Sequence, residues 1–564
     1  ESDFVHMKAC VLVLFVFFCF VWSQGTSDTF YYRNGAVAAD NSQCSQVGSD
    51  ALQAGGNAID AAVATTLCLG VLQPYASGIG GGGVALIYLA ETQTTEVFDF
   101  REVAGGGAGQ NMFVDHPAES ETGGKAIAVP GEVAGLWAIW SKHGSSSWSS
   151  LVEPAIQLAD SSIVNEGLAS AIQSKKDYIL AFPGLRDVFA PGGVLLVEGD
   201  ILKQPALAAT LRSIQSDPMS FYRGQIAENL VADITHAGGI LTATDFDDYW
   251  DHGVVEREPV SIYYQGLKVV GAPPPFAGGL CLSLALNLIE AFDFGAMTNS
   301  SSLAQHYMIE AWKWAYSDRM AIGDPAFVDM IPVMEAMLSK DHAAVLRQQF
   351  SSSTTYPPAH YADLVDPVEA TIVDSGTSHL SVVDPKGNVV ALTSTVNLSF
   401  GSKILSPLTG VVLNNEMDDF STPNQTNFFG QPPSVANYIA PYKKPLSSMT
   451  PTLVLKNNQP FLSVGGSGGT KITTGTMQVL LGVVSWSESI GQAITNPRCH
   501  NQNTGDTQAE INYPQDFISF LESTDHIMDV SNSTLASIQG IVIESNGLYA
   551  ASDWRKGGTP AGFQ

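Results

Sequence analysis

Basic residues are scarce in this chain: 26 Lys and Arg stand against 55 Asp and Glu, a formal net charge of −29 over 564 residues. A surface of that sign repels phosphate backbones and anionic lipid over a Debye length, which excludes nucleic acid as a partner. Charge of either sign is sparse too, at 14% against 45% hydrophobic residues, so the chain holds ample material for a large core and is not a disordered one. Long apolar runs are missing except for Ala9 to Trp22, behind Met7 and Lys8. As a helix that run rises roughly 21 Å, short of a hydrocarbon core of roughly 30 Å, so no stable membrane anchor is expected. Ser23, Gln24 and Gly25 then supply small and polar residues, and residues 1–25 read as a signal peptide, with residues 1–6 upstream of it. Secretion into an extracellular space is the expectation. No Pro/Ser-rich or single-sign linker divides the remainder. Length alone allows three or four domains, but one large unit is expected.

Cysteine is rare, with six in all. Cys10 and Cys19 fall in the signal segment, and Cys44, Cys68, Cys281 and Cys499 show no metal-ligand spacing, so no metal and no cofactor is implied. Cys44 and Cys68 flank a helical, Ala-rich stretch. In an oxidising compartment a bridge there would contribute roughly 3 kcal/mol on the loop-entropy model. Cys281, between Leu280 and Leu282, reads as a buried inert thiol. Sequons stand at Asn299, Asn397, Asn424 and Asn532. Asn299, Asn424 and Asn532 are expected glycan sites, whereas Asn397 falls inside the candidate site described below, where a glycan would block access.

Two textures follow one another along the chain. From Ser42 to Leu72 apolar residues recur at three and four residue steps around a break at Gly55-Gly56, which predicts two packed helices. Val84 to Leu89 and Thr95 to Phe100 read as paired strands. Helices are predicted for Gly278 to Phe292 and Leu303 to Ile322, and the stretch from His360 to Gly376 reads as an exposed, extended connection. After Gly376 the pattern turns to hairpins: Ser378 to Val383 with Asn388 to Ser394, Leu453 to Leu455 with Phe461 to Val464, and Ile541 to Glu544 with Leu548 to Ala551. Thr470 to Trp486 is an apolar helix opening after Gly468-Gly469. Hairpinned strands with helices against their faces predict an α+β fold in layers of helix, sheet, sheet and helix.

The glycine run Gly78 to Gly83 has the letters of a dinucleotide fingerprint, with Asp99 where a ribose-binding acid would stand. Its context is reversed, because a helical stretch precedes it and a strand follows, so it reads as a tight backbone turn.

The densest cluster of chemistry runs through Asp374-Ser375-Gly376-Thr377-Ser378-His379, Thr393-Ser394-Thr395-Val396-Asn397 and Asn414-Asn415-Glu416-Met417-Asp418-Asp419. It continues in Pro445 to Thr452 and Gly465 to Thr470, and upstream in Gly55 to Ala62 and Phe100 to Ala104. Together these ordered blocks resemble the gamma-glutamyl transpeptidase family from about residue 30 to the end. The resemblance implies a four-layer αββα N-terminal nucleophile hydrolase sandwich that cuts itself between Gly376 and Thr377. Residues 26–376 then form a large subunit and residues 377–564 a small one, associated as a heterodimer. It also carries over the Cys44–Cys68 bridge, and the chain is similar to the secreted forms of parasitoid venom.

The family's roles suit what these residues can do. A threonine hydroxyl is a poor nucleophile, but an N-terminal Thr377 gains an α-amine with a pKa near 8 as its own base. The resemblance implies that Thr395 orients the Thr377 hydroxyl and that the Gly468 and Gly469 amides, opening a helix, stabilise the oxyanion. It assigns Arg101, Ser447 and Ser448 to the substrate's α-carboxylate, and Asn397, Glu416 and Asp419 to its α-amine. His379 reads as structural. The implied partners are glutathione or another gamma-glutamyl donor, and water or an amino-acid or dipeptide acceptor. Two other readings are a secreted venom or binding protein that keeps the fold without turnover, and a glutaryl-type acylase. A replaced Thr377, Arg101 or Asp419 would favour the first. The second has no need of Glu416 and Asp419 together.

Overall fold

The hairpin expected around Asp384-Pro385-Lys386-Gly387 lies at the centre of the molecule. In the computed structural model, which describes residues 25–364, 376–425 and 433–564, it joins strands Gly376–Val383 and Val389–Asn397. Asp384 closes the turn by accepting the Lys386 and Asn388 N–H groups on one oxygen, at 2.8 and 3.0 Å. Its other oxygen accepts the Ala58 N–H at 3.0 Å and so pins the hairpin to the start of helix Ala58–Leu72. The period of two then sorts side chains. Leu380, Val382, Val390 and Leu392 join a core shared with helices, while Val383, Val389 and Ala391 join a second core with the other sheet. By the same parity Thr377, His379 and Ser381 share the face of Val383.

Two seven-stranded sheets, all of whose pairings are antiparallel, make the middle layers. The first runs Ala561–Phe563, Gly35–Ala39, Gly376–Val383, Val389–Asn397, Gly82–Leu89, Thr94–Phe100 and Val255–Arg257. The second runs Phe30–Tyr32, Gly547–Ala551, Ser537–Glu544, Gln459–Ser467, Thr452–Lys456, Leu267–Gly271 and Val260–Tyr264. All three expected hairpins are present.

Helices Ser42–Gln53 and Ala58–Leu72, parted at Gly55-Gly56 as expected, pack on the outer face of the first sheet. Asn57 caps the second of these in a capping box with Asp60. The Cys44–Cys68 disulfide is formed between them. Gly278–Ile289, Ser302–Asp318 and Lys471–Val484 cover the second sheet. The order is helix, sheet, sheet, helix, the N-terminal nucleophile hydrolase sandwich. Cys281 and Cys499 are buried thiols, and burial pushes each up to about 12.

Two expectations need amendment. Part of the connection read as exposed and extended is folded: Pro358–Tyr361 makes a 3-10 turn, and Tyr361 is buried because its hydroxyl donates to Glu310 at 2.7 Å. Residues 365–375 and the signal segment up to residue 24 lie outside the described residues. A series of helices between Ala118 and His252 has no counterpart in the sequence expectations. Among the described residues no helix is long and apolar enough to cross a membrane. Asn299, Asn424 and Asn532 are exposed, whereas Asn397 is buried.

Candidate active site

Arg101, Thr377, Thr395, Asn397, Glu416, Asp419, Ser447, Ser448 and Gly469 line one cleft. Gly376 abuts it through Thr377. Gly468 borders the adjoining cavity with Ser467 and Lys556 instead.

Thr377 and Thr395 meet across neighbouring strands because the register shifts between Gly376 and Thr377: Gly376 pairs with Asn397, and Thr377 with Thr395. The Thr377 and Thr395 hydroxyls are 3.1 Å apart, and the Thr395 hydroxyl donates to the Gly376 carbonyl at 2.7 Å. Having given its one proton there, Thr395 accepts from the Thr377 hydroxyl and from the Asn397 N–H, the latter at 2.8 Å. The glycine run is a turn that backs this pair, as expected. A Cβ on Gly81 would meet the Thr395 carbonyl at 1.9 Å, so only glycine lets the two backbones approach. Lys556 holds the other side, donating to the Thr377 carbonyl and to Asp40.

Opposite the threonines, Glu416–Asp419 forms a 3-10 turn in which positions three apart eclipse, so Glu416 and Asp419 point the same way. Asp418 turns aside and accepts the Ser120 hydroxyl at 2.6 Å, and burial pushes it up to about 7. Asn414 fixes the turn from behind, accepting the Glu416 and Ala128 N–H groups and donating to the Gly80 and Ala128 carbonyls.

Arg101, 1% exposed, donates to Glu416 from one terminal nitrogen and to Asp419 from the other. Its remaining donors reach the Pro445 and Leu446 carbonyls, each at 3.3 Å. Burial alone would lower its pKa, but the carboxylates of Glu416, Asp419 and Glu102 outweigh that and raise it. Burial lifts Glu416 well above the carboxylate range and Glu102 up to about 7, in both cases against the pull of Arg101. The groups expected at the two ends of a zwitterion therefore touch one another.

Sequence reasoning missed three members of this neighbourhood. Glu102 sits beside Arg101 in a block that was singled out, so adjacency was a usable signal. Buried Glu132 accepts the Ser394 hydroxyl, and burial pushes its carboxyl up to about 8. Arg319 enters the cleft from the end of helix Ser302–Asp318, donates to Ser448 Oγ at 3.0 Å, and keeps a buried Nε without a hydrogen-bond partner. A lone arginine after a helix carries no such message in sequence. His379 is buried away from the cleft beside Thr393 Oγ, 2.9 Å off, and burial lowers it to about 3, so it is neutral.

Gly468 and Gly469 have φ of +136° and +60°, a backbone suited to glycine, ahead of helix Lys471–Val484. Among the described residues no backbone carbonyl takes either N–H. The arrangement offers a hydroxyl with a hydroxyl partner, amides at a helix start and a compact charge cluster, which suits acyl transfer from a zwitterionic donor.

A sequence model described as Gamma-glutamyltranspeptidase matches residues 44–563. "Glutathione hydrolase 2" of Arabidopsis thaliana is 39% identical over 551 residues, covering 94% of each chain. "Scoloptoxin SSD14" of Scolopendra dehaani is 36% identical, over 94% of this chain and 92% of its own. The crystal structure of cephalosporin acylase from Bacillus halodurans is similar with a TM-score of 0.84 at 27% identity, over 98% of this chain and all of that one.

Proposed function

This chain belongs to the gamma-glutamyltranspeptidase family, and from that premise we propose that it draws gamma-glutamyl groups onto Thr377 as an ester. It is a gamma-glutamyltransferase and glutathione hydrolase, passing the acyl group to water or to an amino-acid or peptide acceptor. The observation that carries the donor reading is an unmet acceptor in the cleft: Arg101 holds one oxygen of Glu416 and one of Asp419, while Glu416 Oε2 is buried without a hydrogen-bond partner, and a substrate ammonium supplies the donor it lacks. Asn397 gives its NH2 to the Asn415 carbonyl at 3.0 Å, which leaves its side-chain oxygen as the acceptor on offer. Arg319, whose Nε has no hydrogen-bond partner, supplies donors for the α-carboxylate with Ser447 and Ser448. A glutaryl donor has no ammonium and would leave Glu416 Oε2 without a partner.

Maturation comes first. The Thr377 hydroxyl attacks the Gly376 carbonyl, which Thr395 polarises, and the C–N bond breaks as the acyl group moves to oxygen. Water then hydrolyses that ester, freeing the Gly376 carboxylate and the Thr377 amine. In turnover the amine takes the hydroxyl proton as the oxygen attacks the donor's γ-carbonyl, and the Gly468 and Gly469 amides hold the oxyanion. The leaving amine departs with a proton, and water or an acceptor amine resolves the ester. Residues 26–376 and 377–564 then persist as paired subunits. The chain is exported after loss of residues 1–25, a reading supported by the short apolar run and by a relative named as a toxin.

Purified protein should give two bands on a denaturing gel, the smaller beginning at Thr377, and should release the chromophore of a gamma-glutamyl anilide. Thr377→Ala should stay whole and inactive. A single uncut band in protein that turns over the anilide would sink the scheme. Protein from culture medium should begin near Gly25, and recovery with Met7 to Trp22 attached would count against export.

A further inference from the structure

Helix Ser302–Asp318 ends at a second group of ionisable side chains, which the proposed reaction does not use. A carboxylate oxygen of Asp318, an imidazole nitrogen of His342 and a carboxylate oxygen of Asp363 all lie within 4.8 Å of one another. His342 comes from helix Lys340–Arg347, and Asp363 from the chain just past the 3-10 turn Pro358–Tyr361. Asp318 is fully buried. Its Oδ1 accepts the Leu364 N–H at 3.2 Å, while its Oδ2 is buried with no hydrogen-bond partner. His342 Nε2 is 2.9 Å from Asp363 Oδ2, yet it too is a buried atom without a properly directed hydrogen bond.

We infer that Asp318, His342 and Asp363 form a binding site for a divalent cation of the zinc class. Two carboxylates and an imidazole are donors that such an ion accepts together, whereas Mg²⁺ and Ca²⁺ favour all-oxygen sets. Ligand distances of about 2.0 to 2.2 Å in a tetrahedron set ligand atoms roughly 3.3 to 3.6 Å apart. The spread here, from 2.9 Å to at most 4.8 Å, brackets that spacing. With side chains 23% and 26% exposed, His342 and Asp363 leave an entry path from solvent. The Leu364 N–H orients Asp318 from outside the site, the usual support of a metal-bound carboxylate.

Among the described residues, a second cluster with histidines provides the contrast. His306 and His526 hydrogen-bond each other at 2.9 Å. Both Glu310 oxygens are taken, by the Thr355 and Tyr361 hydroxyls at 2.5 and 2.7 Å. The Lys313 ammonium stands 3.9 Å from that carboxylate, so no ion is called for there. At Asp318 an ion would instead tie residues 358–364 to two helices, next to Arg319 of the cleft.

The test is zinc chloride added to full-length protein that has been stripped with chelator and desalted. Binding is followed by calorimetry, metal content and melting temperature. One Zn²⁺ per chain should bind and raise the melting temperature. His342→Ala and Asp363→Asn, each checked for an unchanged circular dichroism spectrum, should weaken that binding by at least about tenfold. An acidic chain recruits cations loosely everywhere, so equal affinity in wild type and both variants overturns the proposal, as does failure of wild type to bind. Tighter binding of Ca²⁺ than of Zn²⁺ overturns the assignment of ion class. These readouts do not involve turnover, so they stand or fall apart from the acyl-transfer reading.

Discussion

At the scale of single residues, the cleft separates side chains that a substrate needs from side chains that the fold needs. Asp419 is the better probe of the first kind, being partly exposed and at the end of the charge cluster. Asp419→Asn should lower kcat/KM for a gamma-glutamyl anilide by roughly ten to a hundredfold, the loss of about 1.5 to 3 kcal/mol for a charge-assisted contact. Self-cleavage should proceed, because the chain's own peptide presents no free α-amine. Near-normal turnover by properly cut Asp419→Asn would mean that the glutamyl group binds elsewhere. Arg101 is a poor probe, since removing it strands Glu416 and Asp419 unpaired, and a loss of activity would not distinguish binding from folding. Glu132 shows the second kind. Burial lifts it from an ordinary 4.5 to about 8, so between those values the folded state keeps a proton that the unfolded chain has lost. Its contribution to stability is therefore complete below about 4.5 and is lost as pH rises through about 8, by up to about 1.4 kcal/mol per pH unit. Urea midpoints at pH 5, 7 and 9 should fall less steeply in Glu132→Gln than in wild type. Parallel slopes would show that Glu132 is already ionised in the folded protein.

At the scale of elements, what was legible in sequence was what local chemistry decides. The hairpin at Asp384 was readable because Asp, Pro and Gly encode its turn, and the break at Gly55-Gly56 because two glycines stop a helix. The helices between Ala118 and His252 were less so. Helix Trp148–Asp160 carries Leu151, Val152, Ala155, Ile156 and Ala159 at helical spacing, but Pro154 sits inside it and mutes the signal. Most site residues came from ordered motif blocks, whereas Arg319 depends on a helix end meeting Ser448 across the chain, which no window of sequence contains. The strand that begins at Gly376 carries a prediction of its own. A Cβ there would meet the Tyr75 and Leu398 carbonyls at 2.6 and 2.7 Å, both backbone atoms that cannot swing aside. Gly376→Ala should push the scissile carbonyl away from Thr395 and slow self-cleavage by on the order of a hundredfold, as a misplacement near 1 Å does. Decay of the full-length band after synthesis measures this, and cleavage at the wild-type rate would show that packing at Gly376 does not set the carbonyl's position.

At the scale of the whole molecule, the proposed cut does not fall between two bodies. In the first sheet Gly35–Ala39 lies between Ala561–Phe563 and Gly376–Val383, and Val389–Asn397 pairs in turn with Gly82–Leu89. In the second, Gly547–Ala551 pairs with Phe30–Tyr32, and Thr452–Lys456 with Leu267–Gly271. Strands from before and after the Gly376–Thr377 bond thus pair with one another at three seams of the first sheet and two of the second, and separating them would expose unpaired strand edges at every seam. The Asp384 bond to Ala58 and the Lys444 ion pair with Asp99, 2.8 Å long and buried, add ties between the same two pieces. Backbone hydrogen bonds and apolar cores are little screened by salt, unlike surface charge. Cleaved protein should therefore run as one species on size exclusion even at about 1 M salt, where the Debye length is about 3 Å, and should unfold in a single transition. The measurement pairs gel filtration under native conditions with denaturing gels of each fraction and a calorimetric scan. Elution of residues 377–564 free of residues 26–376, or two resolved transitions, would mean that the sheets do not bind the pieces as their strand order requires.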